Sequence, residues 1–286
     1  MSPGHRPRKR FGQHFLAPGW ADRVAAAIGP RPADRILEIG PGPGVLTTRL
    51  AARAASVVAV ELDRDLAADL RGRVPPNVAI VEADFLQFDL QPLLAGGPLR
   101  VAGNLPYNIS SPILFKLLGA AAMSRNLIDA TVMLQLELAE RLVAGPGSKD
   151  YGVLTIFTAV RADAARLMTL PPGAFRPAPK VQSAVVRLAF KPALVPPELF
   201  RIFEPMVRTI FMQRRKTLGN ALRAFAEPSG LDAVAALTDA RIDPVRRPET
   251  LALQDLLALT SVFAAKGWVA PPAPATQRRN ARRDRA

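Results

Sequence analysis

The chain has 286 residues, a formal net charge of +14 and a sequence pI of about 11.2. It contains no cysteine, which excludes disulfides and a thiolate nucleophile, and its two histidines without any cysteine make a zinc site unexpected. So large an excess of positive charge implies a polyanionic partner, for which RNA is the simplest candidate and DNA the next.

Length and patterning predict one large domain followed by a small one. Strands alternate with helical segments over residues 33–135, and a late strand is predicted over residues 181–190. This pattern is typical of a doubly wound, Rossmann-like α/β sheet. We therefore predict a first domain over residues 1–190 with a basic arm at 1–12, a small all-helical domain over 191–269, and a disordered basic tail over 270–286.

No apolar run in the sequence approaches the length of a membrane span. Residues 1–10 are polar and basic with no apolar segment behind them, so a signal peptide is not expected. The sequence thus predicts a cytoplasmic protein that makes no membrane contact, and we expect a monomer.

A glycine-rich loop follows the first predicted strand of the sheet, Arg35–Ile39. The loop reads Gly40-Pro41-Gly42-Pro43-Gly44 and precedes a helical stretch at 45–55. Glycines such as Gly40 and Gly42 let the backbone approach a ligand closely. The spacing is G-x-G-x-G and lacks the third glycine of a dinucleotide-binding loop. It favours a ligand made of a nucleoside and an amino acid over one with a pyrophosphate.

Acidic side chains follow the next two predicted strands, at 57–60 and 78–81. Glu61 stands at the distance from the glycine loop that suits acceptance of hydrogen bonds from ribose hydroxyls. Asp84 is placed to accept from an adenine amine of the same ligand. In an open parallel sheet, such groups meet at the carboxyl edge of the strands.

The string Asn104-Leu105-Pro106-Tyr107 follows a fourth predicted strand at 99–103. An exocyclic adenine amine is a poor nucleophile, because its lone pair is delocalised into the ring. The side-chain carbonyl of Asn104 and the backbone carbonyl of Leu105 would draw its two N–H bonds out of the ring plane. Pro106 biases Leu105 towards an extended conformation, and Tyr107 offers a face on which a base stacks.

These motifs closely resemble those of the ribosomal RNA small-subunit adenine dimethyltransferases, which use S-adenosylmethionine. The resemblance covers residues 8–260 and is carried by RKRFGQHFL at 8–16, LEIGPGPG at 37–44, VELDRD at 60–65, ADF at 83–85, GNLPYNISSP at 103–112, LVAGPG at 142–147, FRPAPKVQSAVV at 175–186 and QRRKT at 213–217. It implies that His14 and Leu16 contact the cofactor, with Asn104 beside it. His14 is a departure, since the family usually has asparagine there. Phe175 is expected to clamp the target base opposite Tyr107.

Basic residues concentrate in two places. Arg8, Lys9 and Arg10 lie in the first ten residues, and Arg214, Arg215, Lys216 and Arg223 lie in the last third of the chain. A single helical stretch over 199–225 is predicted, with a basic stripe towards RNA and Met212 turned inward. The tail at 271–286 holds five arginines and is interpreted mainly as a solubilising segment.

The predicted function is transfer of methyl groups from S-adenosylmethionine to adenine amines, by direct displacement and without a general base in the rate-determining step. The resemblance implies that the target is two adjacent adenosines near the 3′ end of small-subunit ribosomal RNA, and that the small subunit or its precursor is the partner. Alternatives are a large-subunit adenine methyltransferase of the antibiotic-resistance type, a non-catalytic rRNA-binding assembly factor and a nucleotide-dependent oxidoreductase. The residues alone specify an adenine amine in RNA or DNA.

Overall fold

A mixed sheet of seven strands organises the first part of the chain. The computed structural model describes residues 13–270 and divides the chain into two units, between Leu194 and Val195. The sequence-based boundary lay between residues 190 and 191. Arg8, Lys9, Arg10 and the basic tail fall outside the described residues.

The first unit contains all the strands of the described chain: β1 (Phe15–Leu16), β2 (Arg35–Ile39), β3 (Ser56–Glu61), β4 (Val78–Glu82), β5 (Leu99–Asn104), β6 (Leu127–Gln135), β7 (Ala162–Leu170), β8 (Phe175–Arg176) and β9 (Ser183–Phe190). Its helices are α1 (Pro18–Ile28), α2 (Val45–Ala51), α3 (Arg64–Arg71), α4 (Gln91–Ala95), α5 (Ser110–Met123), α6 (Leu136–Val143) and α7 (Val153–Arg161).

The sheet has the strand order β4-β3-β2-β5-β6-β9-β7. The strands from β4 to β6 are parallel, and β9 and β7 complete the sheet by antiparallel pairing. The chain moves outward from β2 to β4 and then returns to β5 on the other side of β2. The predicted doubly wound, Rossmann-like class is confirmed, and its topological switch point lies between β2 and β5.

Helices α1 and α2 pack on the sheet through apolar side chains spaced along each helix, and these side chains form part of the core. Ala21, Val24 and Ile28 of α1 are buried in one cluster with Leu50 of α2 and Val57 of β3. Intervals of three and four residues place the three α1 side chains on one helical face. Pro18 begins α1, where its fixed φ is compatible with the first helical turn.

Strand β7 was not predicted from the sequence. Its residues, ADAARLMTL, show weak alternation, and most of its side chains are partly or fully exposed. A register irregularity between Arg166 and Met168 interrupts its pairing with β9. Edge strands of this kind bury few side chains, so they carry little hydrophobic signal.

A partly buried charge cluster fixes the amino ends of β5 and β6. Arg100 of β5 donates to Asp34 at 2.6 Å and to Asp129 of β6 at 2.8 Å. It also donates to the carbonyl oxygens of Ile28 and Gly29, at the end of α1. The partly buried guanidinium faces two carboxylates and two carbonyl oxygens, so β5 is anchored at the end opposite Asn104.

The second unit is helical throughout, as predicted for the chain after residue 190. Its helices are α8 (Pro197–Met212), α9 (Leu218–Ala221), α10 (Arg223–Ala226), α11 (Ala233–Asp239) and α12 (Leu253–Ala265). Buried side chains of α8 recur at three- and four-residue intervals, at Ile202, Met206 and Ile210 among others. They form the apolar face that the sequence pattern predicted.

The predicted continuous helix over 199–225 is wrong in one respect that matters for the basic residues. The chain leaves the helix after Met212, and residues 213–217 form a turn before α9. Arg214, Arg215 and Lys216 therefore lie on a turn. Met212 is 86% exposed, contrary to the expectation that it turns inward, because it ends α8 outside the buried face.

Glu38 is an acid in the middle of the apolar strand β2, with only 1% of its surface exposed. Burial raises the pKa of Glu38 from 4.5 to about 8, and the negative charge of Glu61 on the neighbouring strand adds to the rise. A proton on Glu38 is thus much more favourable in the folded chain than in the unfolded one.

We predict that the wild type loses stability relative to Glu38→Gln as the pH rises from about 4.5 towards 8, because ionisation is then progressively favoured in the unfolded chain only. The slope approaches about 1.4 kcal/mol per pH unit within that window. Urea unfolding at several pH values measures it. Glu137→Gln, which changes an exposed acid on α6, is the matched control. Parallel stability curves for the wild type and Glu38→Gln would contradict the assignment.

Candidate active site

A cavity of about 280 Å³ opens at the carboxyl ends of β2, β3, β4 and β5, next to the switch point. Its walls come from five segments, each following or preceding a strand. The lining residues predicted from the sequence are His14, Gly40, Gly42, Glu61, Asp84, Asn104, Leu105, Pro106 and Tyr107. The structure therefore brings most of the predicted cofactor and base-binding residues to one cavity.

The glycine loop packs closely against neighbouring segments. Gly42 has a φ of +55°, and a Cβ there would lie 2.9 Å from the ring of Phe15. A side chain at Gly42 would thus be strained and would also displace Phe15, which lines the same cavity. At the switch point, a Cβ on Gly103 would overlap the carbonyl oxygen of Ile39. Both glycines are required by close packing, which explains their place in the motifs.

Glu61 ends β3 and is held by two backbone groups. Its Oε2 accepts from the Gly42 N–H at 3.0 Å, and its Oε1 accepts from the Asp63 N–H at 2.9 Å. Burial raises the pKa of Glu61, while these backbone hydrogen bonds oppose the rise. The carboxylate is therefore fixed in orientation at the cavity wall, and each oxygen keeps further capacity to accept.

Asp84 lies in the loop after β4, and this loop folds around its side chain and backbone. Its Oδ1 accepts from the Leu86 N–H at 2.8 Å, and its carbonyl oxygen accepts from the N–H groups of Gln87 and Phe88. These hydrogen bonds set the course of the wall that Asp84, Phe85 and Leu86 contribute to the cavity.

Asn104 ends β5, and the nitrogen and oxygen of its side-chain amide have different surroundings. Its Nδ2 donates to the backbone oxygen of His14 at 2.5 Å. A carbonyl oxygen only accepts, so this hydrogen bond fixes which end of the amide is which. The remaining Oδ1 is buried and accepts no hydrogen bond from any described residue. An unsatisfied buried carbonyl is rare in a folded protein, and here it belongs to a side chain that lines the cavity.

The three residues after Asn104 form the turn into α5. Leu105 is 1% exposed, and its N–H donates to the Met133 oxygen of β6 at 3.0 Å. The Pro106 oxygen accepts from the Ile109 N–H and from the Ser110 hydroxyl, which lies in the first turn of α5. These hydrogen bonds hold the segment between β5 and α5 in place, and Pro106 further restricts the conformation of Leu105.

The ring of Tyr107 is partly covered by another aromatic ring. Its centroid lies 5.3 Å from that of His14, with the planes 24° apart. Its hydroxyl is 2.6 Å from the Ser183 Oγ, and burial raises its pKa. His14 is itself held, because its Nδ1 lies 2.7 Å from the Pro177 oxygen. His14 thus lines the predicted cofactor cavity and also stacks on the tyrosine.

Two predicted residues lie outside this cavity. Phe175 has no exposed surface and does not line the cavity; it pairs with Leu16 where β8 meets β1 and lies in the core beside Met133 and Val185. The prediction that its ring faces a base opposite Tyr107 is corrected, since its apolar surface is already covered by the core. Leu16 instead lines a separate cavity of about 30 Å³, together with Glu38 and Gly40.

Several lining residues were not predicted as site residues. Gln13, Phe15, Leu62, Asn108 and Ile109 belong to quoted motifs without having been assigned a role there, whereas Leu86 and Ile113 lie outside every quoted motif. Leu62 keeps 47% of its surface exposed although it is large and apolar. Its place in the VELDRD motif, directly after Glu61, was the available signal.

Some basic residues of the second unit form ion pairs with acidic side chains of the described chain, and others do not. Arg214 lies 3.7 Å from Glu249, and Arg208 pairs with Glu204 at 2.9 Å. Lys216 and Arg223 form no ion pair within residues 13–270. Both line an open polar depression whose other members are Gln213, Asn220, Ala224 and Glu227.

Comparison with known proteins agrees with this geometry. Residues 4–260 match the family model described as ribosomal RNA adenine dimethylase. The chain is 45% identical over 267 residues to ribosomal RNA small subunit methyltransferase A from Aromatoleum aromaticum, covering 92% of this chain and 96% of the relative.

Two solved enzyme structures are also similar to this chain. A dimethyladenosine transferase from Plasmodium falciparum matches with a TM-score of 0.75 and 26% identity, over 89% of this chain and 99% of that one. The 23S rRNA methyltransferase ErmE matches with a TM-score of 0.66 and 28% identity, over 87% and 99%. The match to the family model spans the sheet, the cavity and most of the helical unit, and the chain therefore belongs to the ribosomal RNA adenine dimethylase family.

Proposed function

We propose that the protein transfers methyl groups from S-adenosylmethionine to the exocyclic amines of two adjacent adenosines in the 3′-terminal hairpin loop of small-subunit ribosomal RNA. The products are dimethyladenosines, and the reaction belongs to the biogenesis of the small subunit. The observation that carries the proposal is the buried Oδ1 of Asn104, which has no partner among the described residues and belongs to a side chain in the wall of the cavity. The small-subunit target is favoured by the curated relative at 45% identity.

The residues of the cavity fit S-adenosylmethionine. Glu61 would accept from the ribose hydroxyls, Asp84 from the adenine amine, and the loop at Gly40 and Gly42 would allow close approach of the ligand backbone. The fit rests on the fixed, buried carboxylate of Glu61 and on Gly42, where a side chain would displace Phe15 in the cavity wall. Bound there, S-adenosylmethionine would supply an electrophilic sulfonium methyl group.

The protein's part in the chemistry is placement and electrostatics. The Asn104 Oδ1 and the Leu105 carbonyl would accept the two N–H bonds of the adenine amine, which localises its lone pair on nitrogen. The amine nitrogen would then take the methyl group as its bond to sulfur breaks, and the bound S-adenosylmethionine would become S-adenosylhomocysteine. The amine loses its proton to solvent after it has become cationic, so no basic side chain is required.

The substrate base must leave its stack to reach this cavity, which favours a hairpin loop over a regular duplex. In the second unit, Lys216 and Arg223 would hold phosphates, and Arg214, Arg215 and the arm residues Arg8, Lys9 and Arg10 would hold others. We propose the small subunit or its precursor as the partner, the cytoplasm as the location, and a monomer as the active form. Among residues 13–270, no helix is long and apolar enough to cross a membrane.

Mass spectrometry distinguishes this proposal from its alternatives. Purified small and large subunits are incubated separately with the protein and labelled S-adenosylmethionine, and the labelled nucleotides are mapped. Two dimethyladenosines in the small-subunit loop are the expected result. Label confined to the large subunit would replace the proposal with the activity named for ErmE, and no label on either would favour a non-catalytic assembly factor.

We predict that Asn104→Ala abolishes most methyl transfer and leaves RNA binding nearly intact, because the amide acts on the base and not on phosphates. Tyr107→Phe is the contrasting variant and should keep most methyl transfer, because it retains the ring. It removes only one neutral hydrogen bond, to Ser183, worth about 1 kcal/mol. Single-turnover methyl transfer and RNA binding are measured for both. Turnover of Asn104→Ala within a few-fold of the wild type would overturn the assigned role.

Glu61→Ala should raise the Kd for S-adenosylmethionine by about one to two orders of magnitude, since a fixed charged acceptor is removed. Glu82→Ala is the control: Glu82 faces Glu61 in the β3–β4 register but does not line the cavity. Calorimetric titration measures both. Tight binding of NADH without binding of S-adenosylmethionine would favour the oxidoreductase alternative.

The double variant Lys216→Ala/Arg223→Ala should weaken ribosomal RNA binding and flatten its dependence on salt, by somewhat under one unit of slope for each phosphate that the protein no longer neutralises. Cofactor affinity should stay unchanged. The charge-matched control is Arg201→Ala/Arg208→Ala, which alters two exposed arginines bonded within α8. Equal slopes for both double variants would show that the depression is only a solvated surface.

A further inference from the structure

Lys116 lies on α5, the helix that follows the Asn104–Tyr107 turn, and it contacts a different wall of the cavity. Its Nζ donates to the backbone oxygen of Leu86 at 2.9 Å and to that of Phe88 at 2.5 Å. The ammonium also lies 5.4 Å from the centroid of the Phe85 ring. Lys116 does not itself line the cavity. All three interactions are with the loop after β4.

That loop has no regular secondary structure to satisfy its backbone. It runs from Ala83 to Leu90 before α4 begins, and its residues Ala83, Asp84, Phe85 and Leu86 form one wall of the cavity. Backbone carbonyl groups outside helices and strands need donors from side chains or water. Lys116 supplies a donor to two of them, and a charged donor gives a stronger bond than a neutral one.

Burial and nearby negative charges have opposite effects on the pKa of Lys116. Burial lowers the pKa of Lys116, while the carboxylates of Asp84 and Asp89 oppose that change. Both acids belong to the loop that Lys116 holds. The attraction between the ammonium and these acids therefore adds to the two hydrogen bonds and holds the same loop.

Helix α5 also reaches the other wall. Ile109, directly before the helix, and Ile113, in its first turn, both line the cavity beside Tyr107. Lys116 follows Ile113 by three residues, so the two side chains lie within one turn of each other. One short stretch of helix thus contacts the base-binding turn at one end and the Asp84 loop at the other.

We propose that Lys116 is a positioning residue that fixes the Asp84 loop against α5 and so sets the site for the adenosine part of the cofactor relative to the site for the target base. The inference rests on the proposed function, because it takes Asp84 as the acceptor for the cofactor's adenine. Lys116 touches neither the cofactor nor the base in this scheme; it acts through the loop backbone.

The test is Lys116→Met, which retains an unbranched stem beside Phe85 but removes the charge and the donors. The KM for S-adenosylmethionine and the Kd for S-adenosylhomocysteine should both rise about five- to twentyfold, as expected when charge-assisted hydrogen bonds that order a loop are removed. The kcat at saturating cofactor and the KM for RNA should change little. Lys116→Arg, which can donate to both carbonyls, should recover most of the affinity.

Lys191→Met is the matched control, since Lys191 pairs with Asp163 at 2.5 Å in the same unit but is remote in sequence from the loop and does not line the cavity. It should bind the cofactor like the wild type. An unchanged KM for S-adenosylmethionine in Lys116→Met would overturn the inference. A general loss in Lys116→Met would also overturn it. In that case kcat, the affinity for S-adenosylmethionine, the affinity for RNA and the melting temperature would all fall together, which indicates damage to the whole fold.

A double-mutant cycle tests the route through the loop. Lys116→Met and Asp84→Asn should each weaken binding of S-adenosylhomocysteine, and their combination should weaken it by clearly less than the product of the two effects. Independent, multiplicative effects would overturn the proposed route. Failure of the wild type to bind S-adenosylhomocysteine at all would instead refute the proposed function, so the two failures are distinguishable.

Discussion

The parallel pairing of β2 with β5 is the constraint on which the site depends. These strands are distant in the chain, yet Ile39 and Gly103 lie opposite each other at the switch point. Because Gly103 has no side chain, its backbone approaches the Ile39 oxygen closely. The glycine loop and Asn104 leave the sheet from these two adjacent positions. The loop proposed to bind the cofactor and the amide proposed to polarise the base are thereby brought together by one pair of strands.

The same region contains acids whose charge is controlled in different ways. Burial raises the pKa of both acids. Glu61 accepts hydrogen bonds from two backbone N–H groups that oppose the rise, whereas Glu38, one strand away, is buried with a pKa near 8. The contrast arises from backbone geometry, because the loop at Gly42 turns its N–H group to Glu61 and not to Glu38.

The sequence predicted β2, β3, β4 and β5 of the parallel sheet because their apolar runs end in glycine or polar residues, as Arg35–Ile39 and Leu99–Asn104 do. It failed where tertiary packing overrides local signals. Phe175 reads as an aromatic residue in a proline-rich loop, yet pairing with Leu16 removes its ring from solvent. The helix break after Met212 falls in a stretch without glycine or proline, so no local signal marks it. Lys116 carries no sequence signal either, since its partners are backbone oxygens.

The hydrogen bond from Asn104 to the His14 oxygen explains why this position holds an amide and not an acid. An aspartate at residue 104 would place a carboxylate oxygen against that carbonyl oxygen, at the 2.5 Å separation that the Nδ2 now bridges. Two acceptors at such a distance repel unless a proton lies between them. The acid would have to be neutral to fit, and its acceptor strength would then vary with pH. Asparagine has the same shape and supplies a fixed donor and a fixed acceptor, so the carbonyl remains available throughout the neutral range.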